Sequence, residues 1–285
     1  MSSQPKQEWT LEISPKRSLF DINFRDIWNY RDLLIMMVRR DFVAFYKQTI
    51  LGPIWFFIQP LLTTIMYIFI FGRVAKIPID NVPPLLFYLA GVTCWTYFSE
   101  SLIKTADTFI NNANIFGKVY FPRLIIPLSI VISNLIRLGI QLGLFMVAWV
   151  YFAFFTDSNI RVTNALLLLP LLILLMALLA LGFGIIFSSL TTKYRDLRFL
   201  LTFGVQLAMF ATPIVYPLSL AAENKRWILA LNPFTGIVET FRYAFLGSGT
   251  FDWNYLGYSC AATIIILAAG IVIFNKVEKN FMDIV

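Results

Sequence analysis

The chain has 285 residues, 59% hydrophobic and 14% charged, with a net charge of +7. That is far too apolar for a soluble globular domain. It contains no histidine, which removes the commonest general base and metal ligand and rules out any Ser-His-Asp arrangement.

Residues 1–22 are polar and mixed in charge, with Pro5 and Pro15, and read as a cytosolic tail. Residues 23–48 follow the pattern of an amphipathic interfacial helix, with a break near Tyr30. Leu34, Val38, Phe42, Phe45 and Tyr46 share one face, while Arg39, Arg40, Asp41 and Lys47 lie elsewhere. Such a helix suits a membrane surface with anionic head groups. At Gly52-Pro53 the chain turns, since Gly allows the bend and Pro fits the first turn of a helix. Residues 51–72 then carry no charge and are long enough to cross a bilayer, for which ~20 apolar residues suffice. No signal-peptide plan precedes them. Pro60 predicts a kink.

A Pro-rich loop leads to a second span at about 85–103, which carries Glu100 near its end. Asp107 reads as an N-cap and Gly117 as a helix stop, framing a short helix over 108–116. Its Phe109, Ile110, Ile115 and Phe116 are apolar knobs. The helix is either an ordinary connection or, with Phe109 and Phe116 facing water, a docking element for a soluble partner. Residues 122–155 exceed one crossing, and the bilayer part is placed at about 134–155. The fourth span is predicted at about 165–187, the fifth at 199–220 after the polar loop TTKYRDLR, and the sixth at 254–274.

Residues 221–247 neither look like a loop nor span. They read as two short helices broken at Asn232-Pro233, an extracytoplasmic re-entrant hairpin that must be buried by protein or reached by water. Within it Glu239 and Arg242 stand three apart, as a local pair. The fold class is therefore all-α integral membrane: residues 49–275 form six transmembrane helices, and 276–285 a cytosolic end. Sixteen Lys and Arg fall on the N-terminal side of the membrane and six on the other, with Arg137 inside the third helix. The rule that cytoplasmic loops are rich in Lys and Arg puts both termini in the cytosol.

No phosphate-cradling Gly-rich loop with Lys-Ser/Thr and no metal-ligand cluster occurs. Cys94 and Cys260 lie in apolar runs and read as small core residues rather than a disulfide. A membrane-embedded glycosyl- or acyltransferase rests only on scattered carboxylates such as Glu100 and Glu239. Charges inside a membrane are costly and usually paired, so Glu100 and Arg137 are either partners or separately reach the interface. The aromatics, 16% of the chain, either face lipid and pack helices or form a stacking track for sugar rings.

The string Tyr46-Lys47-Gln48-Thr49-Ile50-Leu51-Gly52-Pro53-Ile54-Trp55, followed by Gln59-Pro60, resembles the start of the first span in permease subunits of ABC-type polysaccharide exporters. These export O-antigen, capsule or teichoic acid chains. Tyr194-Arg195-Asp196, Thr212-Pro213-Ile214-Val215-Tyr216, Asn232-Pro233-Phe234 and Val277-Glu278-Lys279 continue the match in order. The resemblance implies an inner-membrane homodimer working with two ATPase subunits. ATP and Mg would be bound by the ATPase, with no cofactor in this chain and no nucleic acid as partner. It makes residues 108–116 a coupling helix, with Phe109, Asn112, Ile115 and Phe116 against the ATPase. The hairpin becomes an outer gate around Asn232, Pro233 and Phe234. The first and fifth spans would line a channel for a lipid-linked polysaccharide, most readily O-antigen, through Tyr67, Phe203, Phe210 and Tyr216. A related exporter of teichoic acid, capsule, drug or lipid is the alternative within transport.

Overall fold

The apolar runs fold as helices because, away from water, a helix satisfies every backbone polar group within its own segment. The structure, a computed structural model, describes residues 24–47, 50, 52–116, 121–156, 158 and 160–284. The 1–22 tail, Gln48, Thr49 and Leu51 of the first-span string, and Gly117 lie outside these residues. All regular structure among the described residues is helical.

The amphipathic segment forms α1 (Phe24–Asn29) and α2 (Arg31–Lys47), with a turn at Tyr30. Helix α2 packs on α6 (Ile125–Phe155) and buries Met37, while Arg39, Arg40 and Lys47 stay exposed. A tight turn at Gly52–Ile54 leads into α3 (Trp55–Tyr67). The expected kink is not where Pro60 sits, since α3 runs through that residue. The departure comes later, at Ile68–Val74, where the helix widens to a π register and Ala75 N–H bonds to Ile70 C=O at 2.8 Å.

Helix α4 (Pro84–Ala106) is the centre of the molecule. Sixteen of its 23 residues are buried, and it packs against α3, α6, α7 (Leu169–Lys193), α8 (Leu197–Ala211) and α10 (Pro233–Leu246). Because it faces protein rather than lipid, it tolerates Thr93, Ser101 and Thr105. The short α5 (Thr108–Phe116) follows, then α6, α7 and α8. Helix α11 (Trp253–Ile284) packs along α7. Gly182 and Gly270 permit that approach, since a Cβ on Gly270 would lie 2.8 Å from the Gly182 carbonyl oxygen.

Among the described residues four helical stretches are long and apolar enough to cross a membrane: Gly52–Val74, Ile125–Phe155, Asn164–Lys193 and Trp253–Val277. The chain is thus an all-helical, multi-pass membrane protein. The fifth predicted span differs from expectation. Helix α8 stops at Ala211, and residues 212–217 are non-helical. Pro213 disfavours helical geometry at Thr212, which sits at φ −103°, ψ 143°. Tyr216 therefore lies beyond the helix, not on it. At the other end α11 continues through the stretch expected to be a tail.

Candidate functional site

The hairpin and the broken end of α8 form one hydrogen-bonded assembly. Helix α9 (Arg226–Ala230) and α10 meet at Asn232-Pro233. The Asn232 side-chain oxygen accepts from Phe234 N–H at 3.0 Å and so caps α10, with Pro233 in the first turn. The Asn232 amide donates to Thr212 Oγ1 at 2.7 Å, where α8 ends. Phe234 is buried and packs on Phe98, with ring centroids 4.6 Å apart. The three expected gate residues, consecutive in sequence, sit at the junction of α9 and α10, with Phe234 buried against α4 and Asn232 and Pro233 half-buried.

Arg242 is the largest fully buried side chain. Its guanidinium donates to the carbonyl oxygens of Pro213 and Ile214 and lies 3.8 Å above the Phe87 ring. Glu239 Oε1 is 3.4 Å from Arg242 Nη1, and Glu239 Oε2 accepts from Thr250 N–H at 3.1 Å. Gly91 leaves room for this group, since a Cβ there would come within 2.7 Å of Arg242 Nη2. The pair is local in sequence, as its spacing implied. Its grip on the Thr212–Tyr216 string was missed. The one available signal was a charge embedded in an apolar helix face among Phe241, Ala244 and Phe245.

The expected channel aromatics divide. Tyr67 is half-buried, edge-on to Phe71 and Tyr88, and its hydroxyl lies 3.3 Å from Met209 Sδ on α8. Tyr216 is half-buried and donates to the Phe210 carbonyl oxygen at 3.1 Å. Phe203 and Phe210 are 59% and 50% exposed. The latter two share a face of α8 that also carries exposed Phe199 and Leu207.

Arg137 on α6 donates to Glu100 on α4, and Lys104 Nζ reaches the same carboxylate oxygen at 2.8 Å. Arg137 also lies over the Phe56 ring at 5.1 Å. The structure therefore brings Glu100 and Arg137 together, with Lys104 as a third member that the sequence reading did not include.

Helix α5 departs most from expectation. Phe109 and Phe116 are 1% and 7% exposed. Phe109 stacks on Phe274 of α11 at 5.0 Å, and Phe116 stacks on Phe121 at 5.7 Å. They anchor the helix instead of projecting from it, because an unpartnered ring in water costs the burial it gains here. The outward residues are Asn111 and Asn114, with Asn112 and Ile115 half-buried. Asn112 sits at a kink, φ −119° and ψ 16°, and its amide donates to Thr108 C=O at 2.9 Å. Asp107 is no side-chain cap. Its Oδ2 pairs with Arg198 of α8 at 2.9 Å, and Thr191 Oγ1 donates to the neighbouring Ala106 C=O at 3.0 Å. Burial pushes the Asp107 carboxyl above the usual carboxylate range, and the Arg198 charge draws it part of the way back.

Among the described residues no group of three or more Cys, Asp or Glu is placed to hold a metal ion, and Cys94 and Cys260 are both free thiols. Residues 32–246 match the family described as ABC-2 type transporter. The chain is 32% identical over 256 residues to the O-antigen export system permease protein RfbA of Klebsiella pneumoniae, covering 89% of this chain and 95% of that one. It is 28% identical over 261 residues to the RfbA protein of Myxococcus xanthus, covering 91% and 97%. It is 22% identical over 237 residues to the polysialic acid transport protein KpsM of Escherichia coli, covering 81% and 88%.

Proposed function

This chain belongs to the ABC-2 type transporter family, and on that premise we propose that it is the permease through which a lipid-linked O-antigen polysaccharide is exported. It is the membrane subunit of an exporter and not an enzyme; ATP is hydrolysed by a separate subunit. The carrying observation is the near full-length similarity to permeases named for O-antigen export. Capsular polysaccharide is the second reading, favoured by the similarity to KpsM, but that similarity is weaker and covers less of the chain.

In this reading α4 and α8 join the four long spans to make six crossings, with the non-helical Thr212–Tyr216 string completing the fifth. Both termini are cytosolic in the inner membrane. The chain acts as a homodimer with two ATPase subunits that hold ATP and Mg2+. The α9–α10 hairpin is re-entrant from the outer side and forms the gate. Helix α5 meets the ATPase through Asn111, Asn112, Asn114 and Ile115. Tyr67, Phe203, Phe210 and Tyr216 line the polymer path, where ring faces suit a sliding chain better than fixed hydrogen bonds. Nucleic-acid tracks offer the analogy: a base stacked on an aromatic side chain there contributes ~1–3 kcal/mol, and any base is tolerated.

The test is deletion of the gene with complementation. Loss of surface O-antigen and accumulation of lipid-linked glycan inside, restored by the wild-type chain, is expected. Normal surface glycan in the deletion strain, with no ATPase co-purifying, would overturn the assignment.

A further inference from the structure

The C-terminal carbonyls of α10 are closed by groups from a distant part of the chain. Trp149 Nε1 donates to Phe245 C=O at 2.8 Å, Thr163 Oγ1 to Tyr243 C=O at 3.0 Å, and Thr163 N–H to Ala244 C=O at 3.1 Å. Gly247 then ends the helix in the left-handed region, at φ 65°, where a Cβ would come within 2.9 Å of the Arg161 carbonyl oxygen. The segment that follows is also held. Glu239 Oε2 accepts from Thr250 N–H at 3.1 Å, and Asp252 Oδ1 accepts from Asn254 N–H at 2.8 Å, capping α11.

These fixed segments enclose a concavity of about 600 Å³, whose walls include Thr163, Asn164, Leu168, Tyr243, Phe251 and Trp253. Sites for small ligands run to about 300–1,000 Å³. Its rings form a floor and a wall. Tyr243 and Phe251 lie nearly parallel, with centroids 5.3 Å apart and planes at 12°, and Trp253 stands edge-on to Phe251 at 5.1 Å and 71°. Tyr243 and Phe251 are half-buried, whereas Trp253 is 65% exposed. Beside the rings, the Asn164 amide, the Tyr243 hydroxyl and the Trp253 indole N–H make no hydrogen bond among the described residues. No charged side chain lines the concavity, and none of its lining residues lies on α3 or α8, which carry the proposed polymer path.

An interfacial belt puts Trp and Tyr at the level of the head groups. It has no need of three rings converging on one rigid concavity with unused polar groups beside them. A sugar ring does need that set. Its apolar C–H face covers an aromatic ring, and the hydroxyls round its edge meet an amide, a phenol and an indole N–H. The lack of charged walls suits a neutral sugar.

We propose that this concavity is a glycan subsite on the outer face of the protein. It takes a neutral sugar unit of the exported polymer once that unit has left the channel. Trp253 stacks on the sugar face, while Asn164 and Tyr243 bond its hydroxyls. The inference rests on the export reading and topology proposed above, which put residues 160–164 and 247–253 outside.

The test is saturation-transfer-difference NMR on the full chain in phosphatidylcholine nanodiscs. The probe is lipid-free polysaccharide released by mild acid from the host strain's own lipopolysaccharide. Saturation should reach the ring protons of neutral sugars. Trp253→Ala should weaken binding about tenfold, by analogy with the loss of one base stacked on an aromatic side chain. Trp253→Phe keeps a ring and should recover most of it, and Asn164→Ala should weaken binding as well. Trp253 and Asn164 are exposed, so these variants should keep the wild-type gel-filtration profile and melting temperature. Tyr151→Leu removes an exposed ring near the end of α6, outside the concavity, and should leave binding unchanged. No saturation transfer, transfer indifferent to Trp253→Ala, or an equal loss in Tyr151→Leu overturns the subsite. So does quenching of Trp253 emission by brominated phosphatidylcholine that added polysaccharide fails to relieve, with the emission read as wild type minus Trp253→Phe; that result assigns the rings to lipid. Complementation of the deletion strain decides the export reading separately. Restored surface glycan with no polysaccharide bound at Trp253 sinks the subsite and leaves the export reading standing.

Discussion

The Asp107 carboxylate lies 2.9 Å from the Arg198 guanidinium, so the turn that starts α5 is tied to the first turn of α8. One end of this link leads to the proposed ATPase contact and the other to the proposed channel wall. Asp107 is buried and Arg198 is exposed, which makes the link a connector rather than a stabilising pair. The folded pKa of Asp107 is raised. Its stabilising contribution is therefore full below the unfolded value, near ~3.9, and is lost as pH rises through the folded value.

Asp107→Asn imitates the neutral acid, so its melting temperature at neutral pH should be no lower than that of wild type. Its transport should nevertheless suffer, with fewer polymer chains exported per ATP hydrolysed. Proteoliposomes holding permease and ATPase would measure the ratio. In wild type the ratio should fall on acidification through a pKa above the usual Asp range, while Asp107→Asn should show no such step. An unchanged ratio in the variant would remove Asp107 from the coupling route.

Arg242 carries the opposite signature. Removing it leaves Glu239 buried and uncompensated, and orphans the carbonyls of Pro213 and Ile214. Arg242→Met should destabilise the fold by about 3–5 kcal/mol, read from reversible unfolding in mixed detergent. Gly91→Ala should act in the same direction, because its Cβ would crowd Arg242 Nη2 at 2.7 Å. Wild-type unfolding of Arg242→Met would show that the buried guanidinium is not the clasp.

Helix α5 separates anchoring from docking. Phe109→Asp or Phe116→Asp should abolish folded protein, since each buries a charge among rings. Asn111→Arg with Asn114→Arg should leave folding intact and reduce ATPase binding in a pull-down. Full binding by that pair would place the contact elsewhere.

The exposed aromatics of α8 can be tested without a stability penalty. Surface substitutions usually cost within about 0.5 kcal/mol, so Phe203→Leu and Phe210→Leu should express normally and slow export or alter polymer length. Tyr67→Leu also loses its contact with Met209 and should weaken α3–α8 packing as well. Undiminished export in all three would return these rings to lipid-facing and packing roles.

Topology needs sites that a reagent can reach. In a chain with Cys94 and Cys260 replaced, a single Cys at Arg195 should resist an impermeant thiol reagent in intact cells. One at Asn224 should react. Both positions are exposed. The reverse labelling pattern would invert the orientation.

The sequence alone determined the class and the order of parts. Long uncharged runs have no alternative to helix in a membrane, and local punctuation placed the breaks at Tyr30 and Asn232-Pro233 and the turn at Gly52. Glu100 and Arg137 were legible as charges that either pair or separately reach the interface, and only packing of α4 on α6 decided for the pair. Other features depended on which surfaces meet, and no local pattern encodes that. Phe109 and Phe116 read as exposed because their partners, Phe274 and Phe121, lie on other segments. The fifth span read as 22 residues because the run stays apolar past Ala211, and Pro213 ended the helix where composition did not. Arg242 read as one half of a local pair until folding brought Phe87, Gly91 and the Pro213 and Ile214 carbonyls around it. Periodicity records which face of a helix is apolar; only packing decides whether lipid, protein or a ligand covers it.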